Sequence, residues 1–161
     1  AIKGLQNGVD MAGMELKGSP QFVTGCSIKP AKNEIALEAE LELAQKKVKE
    51  GVQFLVTPPV FNINAFTYFM EKANTLGIPV IATVFLLKSV GVARYFSANV
   101  PGPPIPEEMI SRLRKAPDRI NECVTIAGEL ITSLRELCQG VQLVTMGWEN
   151  RLPAILDAAK I

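Results

Sequence analysis

The sequence predicts an α/β protein with a parallel β-sheet, of which this chain forms only a part. The first observation is the segment 52–62, VQFLVTPPVFN, in which an apolar run follows a glycine, stops at Thr-Pro-Pro and restarts as a helix at Asn62. That order is typical of a buried strand whose carboxyl end opens into a βα loop, where α/β proteins place their chemistry. The second observation is that the same order recurs, while the chain holds only about four such units. We therefore expect half of a larger structure.

The predicted strands cover residues 21–27, 52–57, 79–85 and 141–146. The third lies in the run IPVIATVF at 78–85, which is apolar on both faces, as expected for a parallel strand that is covered on both sides. Because strands and helices alternate, and because crossovers between parallel strands are right-handed, we expect one parallel sheet with helices on its outer face.

Helices are predicted at about 34–50, 64–76, 89–97, 107–115, 118–139 and 152–160. The first begins after Asn33 or Lys32 and ends at Gly51, a residue type that tolerates the left-handed conformation at helix ends. Its glutamates lie in the first half and its lysines in the last, which matches the helix dipole. The helices at 107–115 and 118–139 are an extra pair inserted before the fourth strand, and Gly140 is expected to end the second of them.

Composition indicates one ordinary domain over residues 1–161. Hydrophobic residues make up 48% of the chain, which is enough for a sizeable core at this length. Residues 1–20 predict the tail of a helix and a long lead-in loop. The chain begins at Ala1 without an initiator Met, so we expect a piece cut from a longer protein.

Charge and residue usage exclude several function classes. A net charge of +1 gives no electrostatic basis for binding nucleic acid or an anionic membrane. There is no apolar run of about 18 residues and no signal peptide pattern. The three cysteines lack metal or redox spacing, which suits a reducing, cytoplasmic location, and Cys26 is interpreted as a core thiol. The absence of histidine excludes Ser-His and Cys-His mechanisms within these residues.

Six segments, in the expected order, resemble the C-terminal half of the methylenetetrahydrofolate reductase family. They are GCSIKP at 25–30, the pattern L-KKV-G-F-VT within 41–57, GIPVIA at 77–82, LKS-ARYF within 87–96, VP-IPE within 100–107 and GVQ-MGWE within 140–149. Each motif alone is weakly specific, whereas the ordered set covers nearly the whole chain. The resemblance implies a (β/α)8 TIM-type barrel with FAD, in which reduced flavin passes hydride to methylenetetrahydrofolate and gives methyltetrahydrofolate. The four strands would then be the fifth to eighth.

The resemblance also implies which residues contact the cofactor. It places FAD contacts at Ser27, Lys29, Glu40, Lys46 and Lys47, whereas Leu43 stands at a contact position where it cannot replace a polar group. Two lysines suit a pyrophosphate, which needs charge-assisted hydrogen bonds. Without the resemblance, the same lysines are solvated charges that complement the helix dipole, with Glu42 and Glu50 near enough to pair with them. Both interpretations stay open.

The substrate positions implied by the resemblance are Pro58, Val90 and Trp148. Pro58 stands where the family has a folate-contacting glutamine, and Pro58-Pro59 is interpreted as a loop. Val90 replaces an aromatic residue near the flavin, and Trp148 either stacks on a ring or packs in the core. Two further departures from the family pattern are Leu86 for a proline and Gln142 for a histidine. No catalytic residue is expected in this chain, since the family's catalytic carboxylate lies on its first strand.

Two functions follow. The first is an FAD-dependent reductase of one-carbon metabolism and methionine biosynthesis, of which this part alone is inactive. The alternative is a reductase-like domain with altered or lost folate binding, acting as an interaction module for a one-carbon or corrinoid methyl-transfer protein. Pro58 favours the alternative, while Ser27 and the lysine pair favour the reductase. The expected partners are a folate and the upstream half-barrel, and the isolated chain is expected to self-associate through its open strand edges.

Overall fold

The computed structural model describes residues 1–29, 33–100 and 104–161. These residues form one four-stranded sheet in the order β1-β2-β3-β4. The strands are β1 Gly25–Ser27, β2 Phe54–Pro59, β3 Val80–Phe85 and β4 Gly140–Val144. Every neighbouring pair is parallel, so the predicted sheet is confirmed. The fold is that of a partial TIM-type barrel.

Helices alternate with the strands along the chain. They are α1 Ile2–Gln6, α2 Glu34–Lys49, α3 Ile63–Ala73, α4 Val90–Asn99, α5 Glu107–Lys115, α6 Arg119–Arg135 and α7 Leu152–Ala158, with 3-10 turns at Asn74–Leu76 and Glu149–Arg151. The extra pair before the last strand is confirmed as α5 and α6. Asn33 begins α2, because its side chain accepts the Ala36 N–H. Lys32, the other predicted start, lies outside the described residues. No helix in the described ranges is long and apolar enough to cross a membrane.

The two faces of the sheet differ in burial. Leu55, Val80, Ala82 and Val84 are fully covered and lie on the face that the helices pack against. The opposite face is the one that lines the interior when such a sheet closes into a barrel. On that face Ser27, Phe54, Val56, Ile81 and Gly140 are exposed or half-buried, whereas Thr83 and Phe85 further along β3 are buried. One face of the sheet is thus only partly covered.

The first strand is shorter than predicted, and residues 21–24 were wrongly assigned to it. One backbone bond remains there, from the Gln53 N–H to the Thr24 carbonyl at 2.7 Å. The other bonds involve side chains: the Gln53 side chain accepts the Thr24 N–H at 3.0 Å, and the Gln6 side chain donates to the Phe22 carbonyl at 3.0 Å. Val23 is 73% exposed. Within the described residues β1 pairs only with β2, so this apolar segment has no second neighbour to extend it.

The interpretation of Pro58-Pro59 as a loop was also wrong, because β2 runs through Pro59. The register shifts between Val56 and Pro59, as in a β-bulge. Proline has no N–H to donate, and the Thr83 hydroxyl supplies a bond instead by donating to the Thr57 carbonyl at 2.6 Å. The ladder resumes where the Val60 N–H donates to the Thr83 carbonyl at 2.9 Å.

Helix α6 ends four residues before the predicted end, about one turn. Gly140 is the first residue of β4 and does not end the helix. The glycine gives room to the neighbouring strand, since a Cβ on Gly140 would lie 2.9 Å from Ile81 Cδ1 and the Ile81 side chain would have to move. Helix α3 ends at Ala73, three residues before the predicted end, and the 3-10 turn Asn74–Leu76 covers the remainder. The other predicted helix and strand ends agree with the structure to within two residues.

Candidate functional site

The parallel sheet brings four loops to one edge of the molecule. The carboxyl ends of β1 to β4 all point the same way, so the segments after Ser27, Pro59, Phe85 and Val144 lie side by side along that edge. In barrels of parallel strands this edge carries the binding groups. The candidate site is therefore built from these four loops.

A cavity of about 250 Å³ opens at this edge, between the N-terminal ends of α2 and α3. Its walls are mainly apolar and aromatic, and include Ile28, Leu37, Val60, Phe61, Phe66 and Phe69. Polar groups come from Lys29, Asn33, Glu34, Thr57, Asn62 and Tyr68. An apolar cavity with a few polar groups is the usual form of a small-molecule site. Lys29 and Pro58 both line it, so one implied cofactor residue and one implied substrate residue are brought together.

The loop after β1 is tied to the following helix. The Lys29 N–H donates to the Glu40 carboxylate at 3.3 Å, which joins two of the implied cofactor residues directly. Ser27 lies at the end of β1, on the partly covered face of the sheet, and its side chain is exposed. These three residues lie at the carboxyl edge.

Lys46 and Lys47 lie on different faces of α2. Glu40, Leu43 and Lys47 recur at a spacing of three and four residues and share one face, whereas Lys46 lies about 100° around the helix from Lys47. Lys46 is about 9 Å further than Glu40 from the carboxyl edge, at about 1.5 Å per residue. Within the described ranges neither lysine forms an ion pair, and Glu50 pairs with Lys3 at 3.4 Å.

Tyr68 and Glu34 form a pair on the rim of the cavity that the sequence did not indicate. The phenol of Tyr68 donates to the Glu34 carboxylate at 2.8 Å and joins α3 to α2. This hydrogen bond to a carboxylate raises the pKa of Tyr68. The sequence did show a tyrosine beside the apolar stripe of α3. Its partner Glu34 could not be identified, because the pairing depends on how α2 and α3 pack.

The remaining implied residues lie along the same edge, beyond the cavity. Val90 is the first residue of α4, is half-buried and packs on the core. Trp148 is half-buried in the loop after β4 and also packs on the core. The Lys88 ammonium lies 4.9 Å from the centre of the Trp148 ring, a contact that sequence reasoning missed.

The loop after β4 is closed by Glu149. Its carboxylate accepts the Thr145 hydroxyl at 2.5 Å and the Gly147 N–H at 3.1 Å. The hydrogen bond from Thr145 is the main cause that lowers the pKa of Glu149. The carboxylate is thereby occupied in holding the turn.

The Cys123 thiol donates to the Leu87 carbonyl at 2.7 Å, and burial raises its pKa to about 11, so it is a protonated core group. In the ranges that the structure describes, no three His, Cys, Asp or Glu side chains cluster so as to hold a metal ion.

Parallel strands with outer helices and a cavity at their carboxyl ends define part of a barrel protein of the (β/α)8 class. The chain belongs to the methylenetetrahydrofolate reductase family, whose profile, described as Methylenetetrahydrofolate reductase, matches residues 15–160. The family resemblance read from the sequence motifs is thus confirmed.

A solved structure shares the fold. It is an uncharacterized protein from Clostridium thermocellum that binds two copies of 5-methyl-5,6,7,8-tetrahydrofolic acid. The two chains are 18% identical with a TM-score of 0.55, and the match covers 84% of this chain and 52% of that one. This chain therefore spans about half of that protein. No curated protein matches the chain.

Proposed function

We propose that this chain is the C-terminal half of the barrel of an FAD-dependent methylenetetrahydrofolate reductase. It contributes one side of the site in which methylenetetrahydrofolate is reduced to methyltetrahydrofolate. The observation that carries the proposal is the cavity at the carboxyl edge, where Lys29 and Pro58 lie together in a chain of this family. A folate ligand is further supported by the solved neighbour, which binds a methylated tetrahydrofolate.

The residues present fit a flavin dinucleotide. Glu40 and Lys47 share one face of α2, with the Glu40 carboxylate close to Lys29. A carboxylate suits the hydroxyl groups of a ribose or ribityl chain, and an ammonium without an ion pair among the described residues suits a pyrophosphate. When bound, FAD would supply hydride to the folate. The role of the chain is to bind and orient both molecules.

Pro58 alters the way in which this half contacts folate. It is the fifth residue of β2 and, like every proline, has neither an amide side chain nor a backbone N–H. A pterin ring beside it would meet an apolar surface that continues into Val60 and Phe61. We infer that the apolar wall contacts the ring, while polar contacts to the pterin come from the remainder of the protein.

The test is an assay of the full-length protein with FAD, reductant and methylenetetrahydrofolate. We expect turnover, and we expect Lys47→Gln to weaken FAD binding about three- to tenfold, since a charge-assisted hydrogen bond is lost. Lys115→Gln changes an exposed lysine on α5 that lines neither the cavity nor α2, so this variant is the matched control and should bind FAD normally. A protein that binds FAD but neither binds nor reduces a folate would contradict the proposal and would fit an interaction module.

A further inference from the structure

Lys88 lies where two loops meet at the carboxyl edge of the sheet. It follows β3, and its ammonium donates a hydrogen bond to the carbonyl of Met146 in the loop after β4. The same ammonium lies 4.9 Å from the centre of the Trp148 ring. One side chain thus joins the loop after β3 to two residues of the loop after β4.

The backbone on the Lys88 side of this contact is firmly anchored. Leu86 and Leu87 before it are almost fully buried. The Leu86 N–H donates to the Val144 carbonyl at 3.1 Å, and the Leu87 carbonyl accepts the Cys123 thiol at 2.7 Å. Lys88 therefore extends from a fixed point at the edge of the core.

The Glu149 carboxylate closes the loop that carries Trp148, and Lys88 adds a contact at Met146. Met146 has φ 53° and Gly147 φ 85°, and the Met146 side chain is 62% exposed. A residue other than glycine adopts this left-handed conformation when surrounding contacts hold it there. The hydrogen bond from Lys88 to the Met146 carbonyl is such a contact, and it acts two residues before the tryptophan.

We propose that Lys88 is a positioning residue that holds the Trp148 ring at the carboxyl edge, where the ring can stack against a flat aromatic ligand. The ligand part of this proposal rests on the proposed function, because the pterin of a folate is such a group. Tryptophan is the aromatic side chain that interacts best with a cation, and its ring also packs well against other rings. Lys88 acts on the ligand through Trp148.

Trp148 is the only tryptophan in the 161 residues, and this makes the proposal testable by fluorescence. In the full-length protein, its emission is obtained as the difference between the parent and a Trp148→Phe variant. Lys88→Met keeps most of the side-chain length and removes the charge. We expect the Trp148 emission to shift to longer wavelength and its quenching by acrylamide to increase. We also expect the affinity for methyltetrahydrofolate to fall about fivefold.

Two further variants separate positioning from a general loss of charge. Lys88→Arg keeps a cation over the ring and should restore both the emission and the affinity. Lys115→Met removes an exposed lysine on α5 and should change neither.

The outcomes are distinct. Unchanged Trp148 emission in Lys88→Met would overturn the proposal. A shifted emission with unchanged folate affinity would overturn its ligand part and leave Lys88 with a role in loop structure alone. Failure of the parent to bind methyltetrahydrofolate would count against the proposed function, while the emission comparison would still decide whether Lys88 positions Trp148.

Discussion

The backbone N–H of Lys29 donates to the Glu40 carboxylate at 3.3 Å, so a loop at the end of β1 is held by a helix that begins after it. Both residues are implied cofactor contacts. The bond shows that Glu40 fixes the Lys29 backbone, and under the proposed function the same carboxylate would also be a polar group for the ligand.

We expect the affinity for FAD to fall by different amounts in two variants of Glu40. Glu40→Gln keeps an oxygen that can accept the Lys29 N–H, whereas Glu40→Ala removes it. We expect Glu40→Ala to weaken FAD binding by the full-length protein about three- to tenfold and Glu40→Gln to have a smaller effect. Flavin fluorescence titration measures both. Equal affinities in the two variants and the parent would show that Glu40 lies outside the flavin site.

The same substitution in two helices is predicted to have opposite effects on stability. A Cβ on Gly128 in α6 would lie 2.6 Å from Ala158 Cβ and 2.8 Å from the Ala158 carbonyl carbon, which a side-chain rotation cannot relieve. Gly91 in α4 has its nearest neighbour at 3.6 Å. We expect Gly128→Ala to lower the free energy of unfolding by about 1–3 kcal/mol and Gly91→Ala to raise it by about 0.5–1 kcal/mol.

Thermal and urea unfolding of the full-length protein measure this pair of glycine variants. A stabilised Gly128→Ala protein would mean that α6 and α7 pack less closely than described. Gly91→Ala is also the control for the change in helix propensity, because both substitutions lie inside helices.

Acid is predicted to loosen the loop after β4. The pKa of Glu149 is lowered in the folded protein, chiefly by the hydrogen bond from Thr145, so this contribution to stability is present above the ordinary glutamate pKa of about 4.3. It is lost as the pH falls through the lowered folded value. Emission of Trp148 should therefore shift to longer wavelength in this acidic range. Glu149→Gln should show the shifted emission already at neutral pH and little further change.

The parallel sheet could be predicted because each strand and the helix after it are short, local patterns in the sequence. Contacts between neighbouring elements could not be predicted, because they depend on residues that are far apart in the sequence. The run at Phe22 and Val23 has the residues of a strand, but a strand also needs partners, and the described residues supply no second neighbour. Pro58 and Pro59 indicate a loop, yet a bulge opposite Thr83 lets β2 continue through them.

The site was predicted in part for the same reason. Family motifs indicated Lys29, Pro58 and Trp148, which the structure places on one edge of the sheet. The pairs Tyr68–Glu34 and Lys88–Trp148 join residues 34 and 60 positions apart, and no local pattern links such residues.

The isolated 161-residue chain is predicted to self-associate. Phe54, Val56 and Ile81 on the open face are only half-buried, and β1 and β4 have no outer neighbour among the described residues. Burial of a fully exposed side chain of this kind is worth about 1.5–3 kcal/mol, and each of these half-buried side chains gains part of that on association. Sedimentation velocity at several concentrations measures this. A single monomeric species that unfolds cooperatively would be the opposite result.

The account claims above all that this chain carries one side of a flavin and folate site whose other side lies in the remainder of the protein. The most direct test is a flavin fluorescence titration of the 161-residue chain beside the full-length protein. We predict micromolar binding of FAD by the full-length protein and no tight binding by the chain alone, because exposed charges on one helix contribute little by themselves. Micromolar binding by the isolated chain, or none by the full-length protein, would contradict the account.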